Sequence, residues 1–194
     1  MPANGKKPLP GVVLCPPHPY LHGGMEVLIF NELSSALDAA GIMVLRFNYR
    51  GIGDSLGEFT NGKDEYRDIK SALKTLAHWP DVNKKRMGIV GYSFGASVVM
   101  RSLDKLKNLK TVVLVSPPPS SLDTNTRLSK QASGLILVGD KDRIAPSQRI
   151  SQIIADKQTG FDFRLVNDAD HSWIGKENQA ANYISQFLAG ALSN

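Results

Sequence analysis

The sequence predicts an α/β fold: a doubly wound, mostly parallel six-stranded sheet with helices on both faces. Short β-branched runs ending in Gly, Pro or Asp alternate with longer helix-period segments along the whole chain, the pattern of crossover-connected strands. Four of those runs are nearly continuous in apolar residues, as strands covered on both faces are. No internal repeat, low-complexity tract or long linker interrupts the alternation. A chain of 194 residues is one domain with one substantial core. The expected division is an N-terminal extension at 1–10 and a single domain at 11–194.

The predicted strands are Gly11–Cys15, Ile42–Phe47, Met87–Val90, Thr111–Val115, Leu135–Val138 and Phe161–Val166. From Met25 to Ala40, a stripe of Val27, Leu28, Leu33, Ala36, Leu37 and Ala40 predicts a helix that Gly41 ends. From Asp64 to Trp79, Tyr66, Ile69, Leu73, Leu76 and Ala77 make a second stripe, with Pro80 just beyond. Ser93–Leu106 and Pro146–Asp156 repeat the pattern, and Trp173–Leu192 closes the chain. The apolar face of that last helix (Ile174, Tyr183, Ile184, Phe187, Leu188) suits packing on the sheet and a dimer contact equally, so monomer and homodimer both stay open. In such sheets the reactive loops lie at the carboxyl ends of the strands.

Composition excludes several classes. An apolar share of 42% with 21% charged residues is globular, not disordered. The single cysteine, Cys15, excludes an internal disulfide framework and a cysteine-rich zinc site, and reads as a small buried apolar residue. No apolar run approaches the roughly 20 residues of a membrane-spanning helix. Lys6 and Lys7 precede an apolar stretch, as in a signal peptide, but Leu9–Cys15 is short, broken by Pro10 and followed by Pro16 and Pro17. The expectation is a structural strand and a cytoplasmic protein. The net charge of +5 comes from 23 Lys and Arg against 18 Asp and Glu. Along the sequence these cations are scattered, with Lys84-Lys85-Arg86 the densest cluster, which predicts a solvated surface with no nucleic-acid or membrane partner.

The third strand runs directly into Gly91-Tyr92-Ser93-Phe94-Gly95, and a helix follows. This is the G-x-S-x-G nucleophile elbow. The strand-to-helix turn is so tight that residues on either side of the serine crowd together, which glycine at 91 and 95 relieves. Ser93 then sits at a helix N-terminus, where free N–H groups and the dipole favour developing negative charge.

A serine hydroxyl needs a base to take its proton, and the base needs an orienting acid. Among four histidines, His78 lies before the elbow on a helix, and His18 and His22 lie in the loop after the first strand. Only His171, in Asp168-Ala-Asp170-His171-Ser-Trp173, completes the chain order serine, acid, histidine. The acid is expected after an intervening strand, in Gly139-Asp140-Lys-Asp142. Asp142 is the choice and Asp140 its rival, while Asp168 and Asp170 fit turn formation and N–H capping.

The oxyanion donors follow from the same geometry. One is the backbone N–H of Phe94, just after the nucleophile. The other belongs to the loop after the first strand, where Pro16, Pro17 and Pro19 have no N–H to give. Tyr20 is the expected donor and His18 the reserve. The side chains of His18, His22 and Tyr92 are candidate pocket-lining groups. A metal site in that loop lacks ligands, and no cofactor is expected. Arg50-Gly-Ile-Gly-Asp-Ser-Leu-Gly57 imitates a dinucleotide-binding loop, but the spacing demands glycine where Leu56 stands and no helix opens there. Its glycines instead let the loop after the second strand turn sharply.

Pro17-His-Pro19 with Gly23-Gly24, Arg46-Phe-Asn-Tyr-Arg-Gly-Ile-Gly53, Gly91-Tyr-Ser-Phe-Gly95 and Gly139-Asp-Lys-Asp142 together resemble the α/β-hydrolase superfamily. The likeness runs from Gly11 onward and is to its small, lidless bacterial serine-hydrolase branch, similar to dienelactone hydrolases. The resemblance implies a minimal α/β-hydrolase fold with Ser93 as nucleophile, Asp142 as acid and His171 as base. Dienelactone hydrolases carry cysteine at the elbow where this chain has Ser93, which departs from that specific activity. Larger esterases insert a cap after the strand following the elbow. Ser116–Ser133 leaves room for a loop or one short helix, so little or no cap and an open site are expected.

The function expected from the sequence is a serine esterase: hydrolysis of carboxylic esters or thioesters of small or exposed acyl groups through an acyl-enzyme intermediate. Acyl transfer and peptide hydrolysis use the same triad and are the enzymatic alternatives. The alternative from another class is a non-catalytic binding protein on the same fold, which predicts a missing triad member.

Overall fold

The computed structural model describes residues 7–21, 23–123 and 127–193. Six strands form one sheet: β1 (Leu9–Cys15), β2 (Met43–Arg46), β3 (Val82–Tyr92), β4 (Leu109–Val115), β5 (Ser133–Gly139) and β6 (Asp162–Val166). Their spatial order is β2-β1-β3-β4-β5-β6, and every neighbouring pair is parallel. The helices are α1 (Leu28–Ala39), α2 (Glu65–Ala77), α3 (Phe94–Arg101), α4 (Pro119–Leu122), α5 (Ser147–Lys157) and α6 (Glu177–Ala191), with a 3-10 turn at Leu103–Lys105.

Two apolar layers sandwich the sheet, and the strands supply both by alternation. Val13, Cys15, Ile89, Val112, Leu114, Ile136 and Val138 face α2, α3 and α5. Val12, Leu14, Val90, Val113, Val115 and Leu137 face α1 and α6. Burial on both faces is why these strands read as unbroken apolar runs.

The differences from expectation are local. β1 begins at Leu9, inside the stretch expected to be an extension. β3 begins five residues earlier than its apolar run, because the ladder to β1 jumps from Leu9↔Val82 to Gly11↔Met87, setting the polar Asn83–Arg86 segment outside regular pairing. In α1 the buried stripe is Ile29, Phe30, Leu33 and Leu37, while Leu28 is 65% exposed. A stripe begun at Val27 is rotated about one position from the face that meets the sheet. Gly41 ends α1 as expected, at φ +68, with Ile42 N–H donating to Leu37 O and Gly41 N–H to Asp38 O, the Schellman arrangement.

α6 starts at Glu177, four residues after Trp173, because Trp173 occupies a left-handed turn at φ +61. Ala180, Ala181, Ile184, Ser185 and Leu188 of α6 are buried within the chain, against α1 and the sheet, whereas Ile174 is 75% exposed. The face considered for a dimer contact is thus mostly spent on the protein's own core. Among the described residues, no helix is long and apolar enough to cross a membrane.

Candidate active site

β3 delivers Ser93 into the turn before α3 with φ +52 and ψ −108, a backbone conformation that L-residues rarely adopt. Two backbone hydrogen bonds hold it there. Its N–H donates to Val115 O (2.9 Å), tying the elbow to β4, and its carbonyl accepts the Ser97 N–H (3.1 Å). The two glycines clear different obstacles. A side chain at 91 would meet the Ala96 backbone at 2.7 Å, whereas one at 95 would overlap the carbonyls of Cys15 and Pro16. Gly95 therefore makes room for the end of β1, not for the elbow's own start.

His171 lies in the turn after β6, and two features place it. Tyr92 Oη donates to the His171 carbonyl (2.6 Å), while Gly139 lets the Ala169 backbone press on the end of β5. Burial, then the nearby Asp142 and Asp170 charges, push the Tyr92 phenol up, so it stays a donor. Asp140 N–H to Val166 O (3.1 Å) and Lys141 N–H to Ala169 O (3.0 Å) stitch the acid-bearing loop to the histidine-bearing one.

The result is a hydrogen-bonded line. Ser93 Oγ is 2.8 Å from His171 Nε2, and His171 Nδ1 is 3.0 and 2.9 Å from Asp142 Oδ1 and Oδ2. Asp142 is buried, and its Oδ1 also accepts N–H bonds from Ile144 (2.9 Å) and Ala145 (2.7 Å). Burial alone would raise this carboxyl. The bonds from His171, the Ala145 N–H and the Ser116 hydroxyl outweigh it and hold Asp142 below the ordinary carboxylate range. Asp140 is exposed, and its side chain has no hydrogen bond to His171 among the described residues. Asp168 pairs with Lys141 (2.5 Å), and Asp170 Oδ1 caps the N–H groups of Ser172 and Trp173 (2.9 Å each).

The donor positions divide. Phe94 N–H, at the first position of α3, has no intrahelical partner. Tyr20 is a correction: its N–H donates to His18 Nδ1 (3.3 Å) inside a local turn, so it is not aimed at Ser93. Tyr92 is a second correction, a core residue 3% exposed that holds the histidine loop instead of lining a pocket. His18 does stand beside the nucleophile loop, its ring edge-on to Phe94 and Phe59 (5.3 Å each). His22 lies outside the described residues. Burial pushes the Cys15 thiol up, which keeps it inert. Among the described residues, no group of three or more His, Cys, Asp or Glu is placed to hold a metal ion.

Two supporting residues are not legible in the sequence. Ser116, just past β4, accepts the Trp173 indole N–H (3.1 Å), and its hydroxyl helps hold the Asp142 carboxyl low. Glu65, fully buried, accepts N–H bonds from Thr60 and Gly62 (2.6 Å each) and so fixes the loop that carries Phe59. No motif marks either, because their partners are brought together only by crossovers or by loop closure. The segment expected to hold at most one short helix contains only α4 among its described residues.

Residues 50–189 match the dienelactone hydrolase family. An uncharacterized protein of Rickettsia prowazekii is 29% identical over 186 residues, covering 92% of this chain and 78% of that protein. The structure of an α/β serine hydrolase homologue from Coxiella burnetii is 26% identical with a TM-score of 0.80, over 98% of this chain and 88% of that one. A Xanthomonas campestris member of the α/β serine hydrolases without a lid shares the fold with a TM-score of 0.85, at 22% identity over 99% of this chain and 86% of that one. With a six-stranded parallel sheet, an elbow serine and most of its length matched, the chain belongs to the dienelactone hydrolase family.

Proposed function

We propose that the protein is a serine hydrolase of carboxylic esters or thioesters with small or exposed acyl groups. The observation that carries this is the unbroken line from Ser93 Oγ through His171 to Asp142, with spacings of 2.8 Å and 2.9–3.0 Å. In this reading Ser93 attacks the acyl carbon while His171 Nε2 takes its proton. Asp142 keeps the proton on Nδ1 and steadies the imidazolium. The oxyanion is held by the N–H of Phe94 and that of His18, whose amide has no partner among the described residues. His171 then protonates the leaving alcohol or thiol, and activates water to release the acyl group and restore Ser93.

Acyl size follows from the surroundings. The only helix described between β4 and β5 is the four-residue α4, too short to bury a long acyl chain as a cap does. Purified protein assayed on p-nitrophenyl esters from acetate to palmitate gives the test. The expected result is a kcat/KM highest for acetate to butyrate, falling at least tenfold by decanoate. A profile rising toward palmitate would overturn the assignment to small acyl groups.

A further inference from the structure

At the other end of the sheet from Ser93, the strands begin beside a groove of about 1350 Å³. The last turn of α2, the start of β3, the segment around the 3-10 turn leading into β4, and the segment before β5 enclose it. Its floor is aliphatic, with Leu73, Met87, Leu106 and Leu128, and no aromatic side chain lines it. Its rim carries Lys74, Lys84, Lys85, Lys107, Lys110 and Arg127 against one carboxylate, Asp104. None of the six cations forms an ion pair among the described residues.

The charge arithmetic makes this rim unusual. Six cations against one acid leave an excess of five, which is the whole formal charge of the chain. Everywhere else, basic and acidic side chains balance. Along the sequence the six lie in four separate segments and look scattered, and only the fold gathers them. Like charges without partners oppose folding, so an anion seated among them is stabilising. Lysine is a compact phosphate-binding charge, and an aliphatic floor of this volume accepts an apolar body.

We propose that this groove binds single molecules of an anionic amphiphile: an aliphatic chain or ring system carrying a phosphate group. A single-stranded nucleic acid would call for aromatic stacking platforms, which the lining lacks. A bilayer surface would call for apolar side chains projecting beyond the cations, whereas here they are recessed below them. The groove lies roughly 20 Å from Ser93, the length of β3 from Met87 to the elbow, so it is separate from the triad.

Calorimetric titration with dodecyl phosphate, kept below its micelle concentration, tests this. The expected result is saturable one-to-one binding that weakens with added NaCl. Dodecyl maltoside and inorganic phosphate, each carrying half of the chemistry, should bind at least tenfold more weakly. Lys84→Glu/Lys85→Glu/Lys110→Glu should weaken dodecyl phosphate at least tenfold while p-nitrophenyl acetate hydrolysis stays within twofold. Asp104→Asn, which removes the lone acid, should tighten it. The proposal is overturned by no binding, by unchanged affinity in the charge variants, or by equal binding of dodecyl maltoside. It is equally overturned if a twelve-nucleotide single strand or phosphatidylglycerol vesicles bind and monomeric dodecyl phosphate does not.

Discussion

Trp173 donates its indole N–H to the hydroxyl of Ser116 across 3.1 Å, and neither residue has any solvent exposure. Both sit at positive φ, +61 and +46, one in the turn after His171 and one just past β4. Because the Ser116 hydroxyl also helps hold Asp142 ionised, its acceptance of the indole N–H leaves its own proton to face that carboxylate.

Ser116→Ala therefore removes a donor that helps hold Asp142 ionised, so its carboxyl should move up toward the usual range. The acid limb of the kcat/KM profile should shift to higher pH, with kcat about tenfold lower, the value of one hydrogen bond to a charged group. Trp173→Phe should produce a smaller shift in the same direction. Stopped assays from pH 4 to 9 read both.

The two loop aspartates separate sharply in their geometry. Asp142→Asn presents the wrong hydrogen-bonding groups to His171 Nδ1 and should lower kcat by about 10⁴. Asp140→Asn, on an exposed side chain, should leave kcat within about threefold, since surface changes away from such features are nearly silent. Steady-state kinetics on p-nitrophenyl acetate distinguishes them.

Gly95 faces the backbone of another strand, which has little freedom to move. Gly95→Ala should lower stability by about 3 kcal/mol or more, read as a depressed Tm. Gly190→Ala makes the control: nothing lies within 4 Å of its added methyl, and alanine favours the helix, so Tm should hold or rise.

Glu65 is held below the ordinary carboxylate range. Burial opposes this, but the backbone N–H bonds of Thr60 and Gly62 and the Thr60 hydroxyl outweigh it. A depressed folded-state pKa means that the unfolded chain binds more protons as pH falls through the ordinary range near 4.5. Stability from Glu65 is thus complete above that range and lost as pH drops through its lower folded value. Glu65→Gln should cost about 1–3 kcal/mol at pH 7 and make Tm less sensitive to pH between 5 and 3.

The parts of this molecule legible in the sequence are those written in contiguous residues. The strand runs, the elbow at 91–95, the Gly41 stop and the order of Ser93, Asp142 and His171 each occupy one segment or one chain order. Ser116 and Glu65 could not be read, since a buried serine and a buried glutamate look like any surface polar residue until their partners arrive. The Tyr20 expectation fails for the same reason: eliminating prolines finds which residues possess an N–H, but not where it points. The α1 stripe failed by rotation, because two adjacent apolar positions, Leu28 and Ile29, fit a helical period equally until the sheet selects one.

In the proposed reaction Ser93 is made nucleophilic by His171. Intact-mass analysis after brief exposure to a fluorophosphonate measures it directly. A single adduct mapping to Ser93 is expected, absent in Ser93→Ala and slowed at least a hundredfold in His171→Ala. A well-folded wild-type protein that stays unlabelled, or labels at another serine such as Ser97 or Ser116, would contradict it.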